Sequence, residues 1–231
     1  MDLLKLIQAR QTDRVAFDPE RGVEKADLWK ILEASRWAPT PHNMQNFEVV
    51  IVDDKPVLES LSNIRRPPVG GDVQERLRNV DAYASSEEDL LKRKIGILVI
   101  NPEGTRISGE RAPLEGPVVG VVTFNPGKKP PNVDGEFLSI LGLGCVMENM
   151  CLMAHSLGLG IQIQSRFTGG AEEEVKKILN IPAEMRVAFG FRVGYTVAKP
   201  SKYLRVRRDI GDFTYHNRFG KRYYNKNSEI P

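Results

Sequence analysis

A chain of 231 residues is long enough for one large domain with its own hydrophobic core and is short for two. Hydrophobic residues make up 41% and charged residues 27% of the sequence, a balance that excludes an intrinsically disordered protein. The formal charge of +3 is too small to indicate a nucleic-acid partner. We therefore expect one soluble domain over residues 1–231.

The amino-terminal part of the chain is predicted to contain three helices and one buried strand. The helices show apolar residues at helical spacing, and the strand is a run rich in β-branched residues. Pro39 and Pro41 end the second helix, because a proline pushes the residue before it out of the helical region. In chain order the elements are a helix from Leu3 to near Arg10, a helix over Val23–Trp37, a strand over Phe47–Val52 and a helix over Lys55–Ile64.

Residues 65–116 are the least regular part of the sequence. They offer only a polar helix from Asp72 to about Lys94 and an apolar run at Ile97–Ile100. We interpret this region as a variable excursion, or lid, that covers another part of the molecule. After it the sequence predicts a strand over Pro117–Phe124, a helix over Phe137–Leu157, a strand over Ile161–Gln164, a helix over Ala171–Leu179 and a strand over Met185–Val193.

The predicted helix Phe137–Leu157 is apolar on nearly every face, which is typical of a buried helix. It is also long enough to cross a membrane. Glu148, near its middle, would however cost about 3 kcal/mol in lipid, and Asn149 and His155 are polar as well. We therefore expect no membrane span and interpret this segment as the central helix of a soluble core or of a dimer interface.

The order of the elements indicates the fold class. Strands and helices interleave without a regular strand–helix–strand repeat, so the pattern favours an α+β fold over a doubly wound one. The tail from Lys199 onward is polar, basic and aromatic, and it holds few residues that could form a core of their own.

Metal sites and nucleophilic cysteines find no support in the sequence. His42, His155 and His216 do not have the spacing of metal ligands. Cys145 and Cys151 are interpreted as small buried hydrophobic residues, which fits a reducing cytoplasm. We therefore expect neither a bound metal nor a cysteine nucleophile.

The sequence also lacks a convincing dinucleotide-binding loop and a convincing signal peptide. The glycines of the run Gly142–Met147 lie inside a helical pattern and follow no strand, so they do not indicate a dinucleotide-binding loop. The opening apolar run is too short for a signal peptide and has an acid at position 2. We expect a cytoplasmic protein.

Two arginine-containing segments could bind a phosphate. Residues 9–14 read ARQTDR and place Arg10 and Arg14 near a helix end, while Arg205 and Arg207 alternate in KYLRVRRD and would point to one side of an extended chain. Arginine suits phosphate because its planar fork donates paired hydrogen bonds. Taken alone, each segment is more often a solvated charged surface.

A polar loop between the second helix and the first strand reads APTPHNMQNFE at residues 38–48. Its hydroxyl and amide side chains are short, and two prolines restrict the backbone around them. Such a loop can hydrogen-bond a ligand rich in carbonyls, ring nitrogens and hydroxyls without adding charge. The alternative is a simple turn rich in Asn and Pro.

In this order and spacing the segments resemble the nitroreductase family of FMN-dependent oxidoreductases. The sequence carries R-Q-T-D-R at residues 10–14, A-P-T-P-H-N-M-Q at 38–45, E-N-M-C-L-M-A-H-S-L-G-L-G at 148–160 and R-x-R at 205–207. The resemblance covers roughly residues 3–64 and 117–220, whereas residues 65–116 match nothing in it. It implies a central, mostly antiparallel sheet flanked by helices and a long buried central helix.

The resemblance also implies an assembly. Members of the family are homodimers with FMN at the interface, touched by both chains, and a carboxy-terminal arm that wraps the other subunit. Residues 199–231 correspond to that arm here. This would explain both the tail without a core of its own and the helix that is apolar on every face.

By position, the resemblance implies roles for thirteen residues. Arg10 and Thr12 resemble phosphate and ribityl contacts, and Arg14 resembles the basic residue near the flavin pyrimidine edge. The full set of cofactor-binding positions is Arg10, Gln11, Thr12, Arg14, Thr40, Pro41, Asn43, Gln45, Ser165, Arg166, Arg205 and Arg207, with His42 as the substrate contact.

Some of these roles have alternatives. The segment of Thr40, Pro41 and Asn43 is implied to reach the flavin from the neighbouring chain, while Gln45 either joins it or buttresses the loop. Ser165 and Arg166 match the pair whose backbone lies beside flavin N5, although the family usually has glycine or a small residue where Arg166 stands. Contacts from the middle region have only the candidates Asn79, Lys92 and Lys94.

The implied activity is the transfer of hydride from NADH or NADPH, through bound FMN, to a small organic acceptor such as a nitroaromatic or a quinone. The flavin carries this chemistry, so no catalytic side chain is expected. The same fold also serves reductive dehalogenases, flavin-cleaving enzymes and dehydrogenases of small substrates. A flavin-binding protein without turnover is a further alternative, and the sequence identifies neither the acceptor nor the preferred nicotinamide.

Overall fold

The computed structural model describes residues 2–13, 15–64, 116–132, 135–165, 167–197 and 210–223. By its internal contacts the chain divides into two units, Met1–Pro68 with Glu110–Pro200 and Val69–Gly109 with Ser201–Pro231. In the second unit, the described residues form a 3₁₀ helix at Ile210–Asp212 and an antiparallel bridge between Tyr215 and Arg222. The expectation of one domain over residues 1–231 stays a prediction.

Antiparallel strands form the centre of the first unit. They are β1 (Glu48–Val52), β2 (Val118–Phe124), β3 (Gly160–Gln164) and β4 (Arg186–Gly194). Their spatial order is β1-β2-β4-β3, and all three pairings are antiparallel. Every residue of β2 is buried, because this strand lies between two others and is covered on both faces.

Helices flank the sheet. They are α1 (Leu3–Ala9), α2 (Lys25–Arg36), α3 (Lys55–Asn63), α4 (Phe137–Ser156) and α5 (Glu172–Leu179). Side-chain caps begin α1 and α3, since the carboxylates of Asp2 and Asp54 accept hydrogen bonds from backbone N–H groups of the first turn. Asn180, in the left-handed conformation with φ of 53°, ends α5.

The two faces of the sheet carry separate cores. Strand β2 shows how its alternating side chains divide between them: Val118 and Val122 pack with the buried residues of α2 and α4, whereas Val119 and Val121 pack with those of α3 and α5. The observed architecture is therefore an antiparallel sheet between two layers of helices, which confirms the expected α+β class.

Helix α4 buries only one side within a single chain. Leu143, Val146 and Met150 are buried against the sheet and α2. Around the other side, Phe137 and Leu141 are 68% and 51% exposed. Part of this apolar helix is therefore exposed in the single chain, so it is not fully enclosed in one core.

By length and composition α4 is the one helix of the described residues that could cross a membrane. The core helices of soluble proteins pass the same test, so this is weak evidence. Within the chain α4 packs closely against α2, and its mid-helix Glu148 forms an ion pair with Arg10. These contacts fit a helix in a soluble protein.

The element bounds confirm the sequence predictions to within two residues wherever the chain is described. The predicted helix Asp72–Lys94 and the apolar run Ile97–Ile100 lie outside the described residues. Most of the arm, residues 199–209 and 224–231, also lies outside them, so the exchange of this arm between subunits stays a prediction.

Among the glycines that the structure describes, Gly120 of β2 is the position where a methyl group is least tolerable. A Cβ there would stand 2.1 Å from a ring carbon of Phe191, which fills the space above the glycine. We expect Gly120→Ala to lower the free energy of unfolding by about 1–3 kcal/mol, since the aromatic ring must leave its packed position. Urea unfolding at one fixed protein concentration measures the change.

Gly22 supplies the control for that substitution. No atom lies within 4 Å of the position its Cβ would take. Gly22→Ala should therefore change the free energy of unfolding by no more than about 0.5 kcal/mol. Equal urea midpoints for the two variants would contradict the packing assigned to Gly120.

Candidate functional site

The polar loop after α2 has an unusual backbone. His42, Asn43 and Gln45 have φ values of 49°, 54° and 47°, a left-handed conformation that is uncommon for residues other than glycine. Hydrogen bonds hold this shape, because Thr40 O accepts from Asn43 N at 3.0 Å and Thr40 Oγ1 accepts from Gln45 N at 3.1 Å. Strained backbone of this kind clusters at functional loops.

Gln45 contributes to the loop itself. Its Nε2 lies 3.3 Å from Asn43 Oδ1 and 3.4 Å from Asn43 O, so the side chain contacts both the side chain and the backbone of Asn43 within the loop. This geometry favours the buttressing interpretation of Gln45. His42 and Asn43 are exposed, while Thr40 and Pro41 are half-buried, so the loop presents an imidazole and an amide to the surroundings.

Two contacts fasten the loop to the sheet and to α4. Asn46 Nδ2 donates to Asn125 O at 2.8 Å and to Lys128 O at 3.1 Å, and Asn46 Oδ1 accepts from Asn125 N at 3.1 Å. Gly142 of α4 lets the loop approach closely, since a Cβ there would lie 3.2 Å from Pro41 Cδ. Asn46 lies within the polar loop of residues 38–48, but no role was predicted for it from the sequence.

A shallow, mostly apolar cleft runs between this loop and the first turns of α4. Its lining consists of Thr40, Pro41, Met44, Asn46, Phe47, Ser139, Gly142 and Leu143. The cleft lies on the side of the loop that faces its own helix. It therefore explains how the loop is seated and does not by itself define a ligand site.

The segment after α1 holds the second group of expected site residues. Arg10 Nε lies 3.3 Å from Glu148 Oε1 of α4, and the Arg10 side chain is 22% exposed. Gln11 Nε2 lies 3.4 Å from Asp13 Oδ1, and Thr12 is half-buried. Arg10 and Thr12 thus place a guanidinium and a hydroxyl two residues apart in the segment just after a helix, and both groups are donors suited to a phosphate.

Asp13 is the buried residue of this segment, with 6% of its surface exposed. Its N–H donates to Ile161 O at 3.0 Å, and its Oδ2 accepts from Ile161 N at 3.1 Å. Burial raises the pKa of the Asp13 carboxyl above its ordinary value, although the hydrogen bonds from Ile161 and Gln11 and the charges of His155 and Arg192 act in the opposite direction. No role was predicted for Asp13 from the sequence.

Arg192 of β4 was also missed, and it is 1% exposed. Its Nε donates to Gln162 Oε1 at 2.7 Å and its Nη2 to Val15 O at 2.9 Å, while its guanidinium lies 4.5 Å from the ring centroid of Phe17. Arg192 therefore ties the chain that follows Asp13 to the middle of the sheet.

Strand β3 leads to the third group. Ser165, just after the strand, is exposed, and its carbonyl accepts from the N–H and the hydroxyl of Thr168 at 3.2 and 2.8 Å. Gln164 is 7% exposed, and its Oε1 has no hydrogen-bond donor in the described structure. The remaining expected contacts lie outside the described residues: Arg14, Arg166, Arg205, Arg207, Asn79, Lys92 and Lys94.

The structure brings the polar loop and the Arg10 segment to different points of one helix. The loop meets α4 at Gly142 and Arg10 meets it at Glu148, six residues and about 9 Å further along the axis. The two positions also face different directions, about 120° apart around the helix.

Other chemistries find little support. The described residues contain no group of three or more His, Cys, Asp or Glu side chains that could hold a metal. Burial raises the pKa of the Cys151 thiol to about 11, so this side chain is not a nucleophile at neutral pH. Both cysteines are free.

Comparison with known proteins gives one family. The family model described as "Nitroreductase family" matches residues 7–195. No curated protein sequence matches the chain.

Solved structures of similar fold cover nearly the whole chain. A nitroreductase family protein from Clostridium novyi NT is 18% identical, covers 96% of this chain and 97% of its own, and gives a TM-score of 0.60. An FMN-dependent nitroreductase from Clostridium difficile R20291 is 20% identical over 94% of this chain and 100% of its own, with a TM-score of 0.62. A variant of an FMN- and NADPH-dependent nitroreductase from Sphigopyxis sp. strain HMH is 15% identical over 95% and 100%, with a TM-score of 0.63. At these identities the similarity demonstrates the fold.

Proposed function

The chain belongs to the nitroreductase family, and from this premise we propose that it is an oxidoreductase that binds FMN and uses NADH or NADPH to reduce a small organic acceptor. The observation that carries the proposal is the Arg10–Asp13 segment, where a guanidinium and a hydroxyl stand half-buried at a helix end. Two of the structural neighbours are described as FMN-dependent, and one of these as NADPH-dependent, which supports the same cofactors here.

The proposed roles of the chain's residues are binding, orientation and exclusion of water. Arg10 and Thr12 bind the phosphate end of the flavin, together with Arg205 and Arg207 of the arm. Arg14 stands at the pyrimidine edge, where a cation stabilises the charge of the reduced ring. When bound, FMN supplies the redox chemistry by accepting hydride and passing electrons on.

The second half of the proposed site comes from the loop after α2. Thr40, Pro41 and Asn43 approach the flavin from the neighbouring chain, and Gln45 holds their loop in shape. The backbone of Ser165 and Arg166 lies beside flavin N5 in this proposal. Gln11, between Arg10 and Thr12, is a further proposed cofactor-binding residue. His42 is the proposed substrate contact, since it is exposed at the tip of a loop that hydrogen bonds hold rigid.

We further propose that the working form is a cytoplasmic homodimer. Support comes from the apolar side of α4 that the chain leaves exposed, and from α1, where Leu3, Leu4 and Ile7 are 64%, 60% and 42% exposed. Two exposed apolar helices on one molecule are typical of an interface between copies.

The purified protein is the test of this function. We expect it to be yellow and to release FMN, one per chain, on denaturation. NADH or NADPH should then bleach the bound flavin, and a panel of nitroaromatics, quinones, enones and halophenols should restore the colour at different rates. A colourless protein that does not take up FMN would contradict the proposal, and FAD bound more tightly than FMN would correct the cofactor.

The same experiment separates the alternatives. A flavin that nicotinamides do not bleach would identify a flavin-binding protein without turnover. Reoxidation by halophenols alone would favour a reductive dehalogenase. Consumption of the flavin itself would favour a flavin-cleaving enzyme, and bleaching by a small organic substrate in place of a nicotinamide would favour a dehydrogenase.

A further inference from the structure

The segment that holds Arg10 and Thr12 has no regular secondary structure of its own. Helix α1 ends at Ala9, and residues 10–13 lie between it and the isolated bridge of Phe17 with Thr196. A flexible segment would present these side chains to a ligand only after losing conformational freedom, at about 1–2 kcal/mol per residue. Something else must therefore fix the segment if it is to bind a phosphate tightly.

Asp13 is the strongest fixed point of this segment. It exchanges two hydrogen bonds with a single residue, Ile161 of β3: one from its own N–H at 3.0 Å and one to its carboxylate at 3.1 Å. Two bonds to one partner set both the position and the direction of the chain. Gly160 allows the approach, since a Cβ there would lie only 3.3 Å from Asp13 Oδ2 and 2.6 Å from Thr196.

Using a carboxylate for this contact costs free energy, because the charged group must be buried. Asp13 is 6% exposed, and burial of a charged group is unfavourable unless partners compensate it. Its surroundings offset this cost in part: Gln11 approaches its Oδ1, and the charges of Arg192 and His155 favour the carboxylate, although burial still raises the pKa of Asp13 overall. Asp13 thus contacts Gln11 of its own segment and Ile161 of strand β3.

We propose that Asp13 is a positioning residue for the phosphate of the bound flavin: by tying residues 10–13 to β3 it holds Arg10 and Thr12 in the conformation that binds the phosphate. This inference rests on the proposed function, because it needs a flavin phosphate at Arg10. Asp13 itself does not touch the ligand. Its effect should therefore appear in how well the protein distinguishes a flavin with a phosphate from one without.

FMN and riboflavin make that distinction measurable, since they differ only in the phosphate. Full-length protein stripped of flavin is titrated with each, and the ratio of the two dissociation constants gives the preference for the phosphate. We expect Asp13→Ala to reduce this preference about tenfold, equivalent to about 1.4 kcal/mol. Asp13→Asn should retain it within about threefold, because an amide oxygen can accept the same Ile161 N–H.

Glu172 provides a matched control. It is another buried carboxylate, 9% exposed, and its Oε1 accepts a hydrogen bond from a strand N–H, that of Val187 in β4, at 2.8 Å. It lies in α5, outside the segment of Arg10. Glu172→Gln should leave the preference for the phosphate unchanged, whatever it does to stability.

The outcomes separate this inference from the proposed function. An unchanged preference in Asp13→Ala, or an equal loss in Glu172→Gln, overturns the inference while wild-type binding of FMN leaves the function intact. Wild-type protein that binds neither flavin contradicts the function instead. If Asp13→Ala does not fold, Asp13→Glu provides the test, because its longer side chain displaces the segment. A preference for the phosphate below that of the wild type supports the inference, and a preference equal to that of the wild type overturns it.

Discussion

Replacing Arg10 by alanine is expected to weaken FMN binding about 10- to 150-fold. Arg10 is the arginine of the proposed phosphate site that the structure describes, and its side chain is largely sheltered from water, with 22% exposed. A hydrogen bond to a charged group in such a place contributes roughly 1.5–3 kcal/mol, and each 1.4 kcal/mol is about a factor of ten in affinity. A flavin titration of the stripped protein measures the loss.

The ion pair between Arg10 and Glu148 is compatible with this role. A guanidinium carries five N–H donors, so a carboxylate near Nε does not exclude a phosphate contact through the terminal nitrogens. The pair also restrains the long side chain before any ligand arrives, which lowers the entropy lost on binding. Riboflavin, which lacks the phosphate, should bind Arg10→Ala and wild type about equally.

Arg36 is the control for the loss of an arginine. It forms an ion pair with Glu33 at 2.6 Å, but it lies on the solvent side of α2 with 62% of its side chain exposed. Arg36→Ala should leave FMN affinity unchanged. An affinity of Arg10→Ala equal to that of Arg36→Ala would show that Arg10 is a surface residue and that the phosphate lies elsewhere.

The other proposed arginines extend the series. Arg207→Ala should resemble Arg10→Ala, and Arg207→Lys should recover only part of the loss, because a point charge replaces a planar fork. Arg14→Ala should instead lower the reduction potential of the flavin and slow its reduction more than it weakens binding of oxidised FMN. Equal, small effects of all these variants, with the potential unchanged, would show that the basic residues were assigned wrongly.

Much of the fold could be predicted from the sequence because local patterns determine it. Val118–Phe124 is apolar except for Thr123 and lies in the centre of the sheet, while Pro39 and Pro41 end the second predicted helix through the backbone conformation that they impose. Strand β3 begins one residue earlier than predicted, at Gly160. The reason is tertiary, since Gly160 pairs with Gly194 of β4.

The parts of the site that escaped prediction depend on contacts between distant segments. Asp13 stands in a polar run that is typical of a solvated surface, yet Ile161, far along the chain, buries and binds it. Arg192 alternates with apolar residues in a strand, which predicts a solvent-facing side chain, but Val15 O, Gln162 and Phe17 enclose it. No local pattern contains this information.

The interpretation of α4 shows a different limit. A helix with apolar residues on every face is expected to be buried on all sides. The sequence does not tell whether the same chain or another chain buries it. Within one chain Leu143 and Val146 are buried and Leu141 is half-exposed. The contrast between these positions, which only the structure provides, shows which side of the helix the chain leaves exposed.

If the proposed homodimer and its flavin exist, replacing Leu141 by glutamate is expected to break the dimer and to release the flavin. Leu141 lies in the middle of the exposed apolar side of α4, between Phe137 and Gly144, with 51% of its surface exposed. A carboxylate placed there must either be buried without a partner or hold the subunits apart. In a two-fold symmetric dimer the change occurs twice, so we expect dissociation to increase on the order of 100-fold or more.

Sedimentation at micromolar concentration, together with the flavin content of each species, measures both effects. Trp29→Gln is the matched control, because Trp29 is 63% exposed on α2 and is not part of the apolar side of α4. It should remain a yellow dimer. If Leu141→Glu also sediments as a dimer, the apolar side of α4 is not the interface. If it becomes a monomer that keeps FMN at full affinity, the flavin is bound by one chain alone, and Thr40, Pro41 and Asn43 of the second chain have no part in the site.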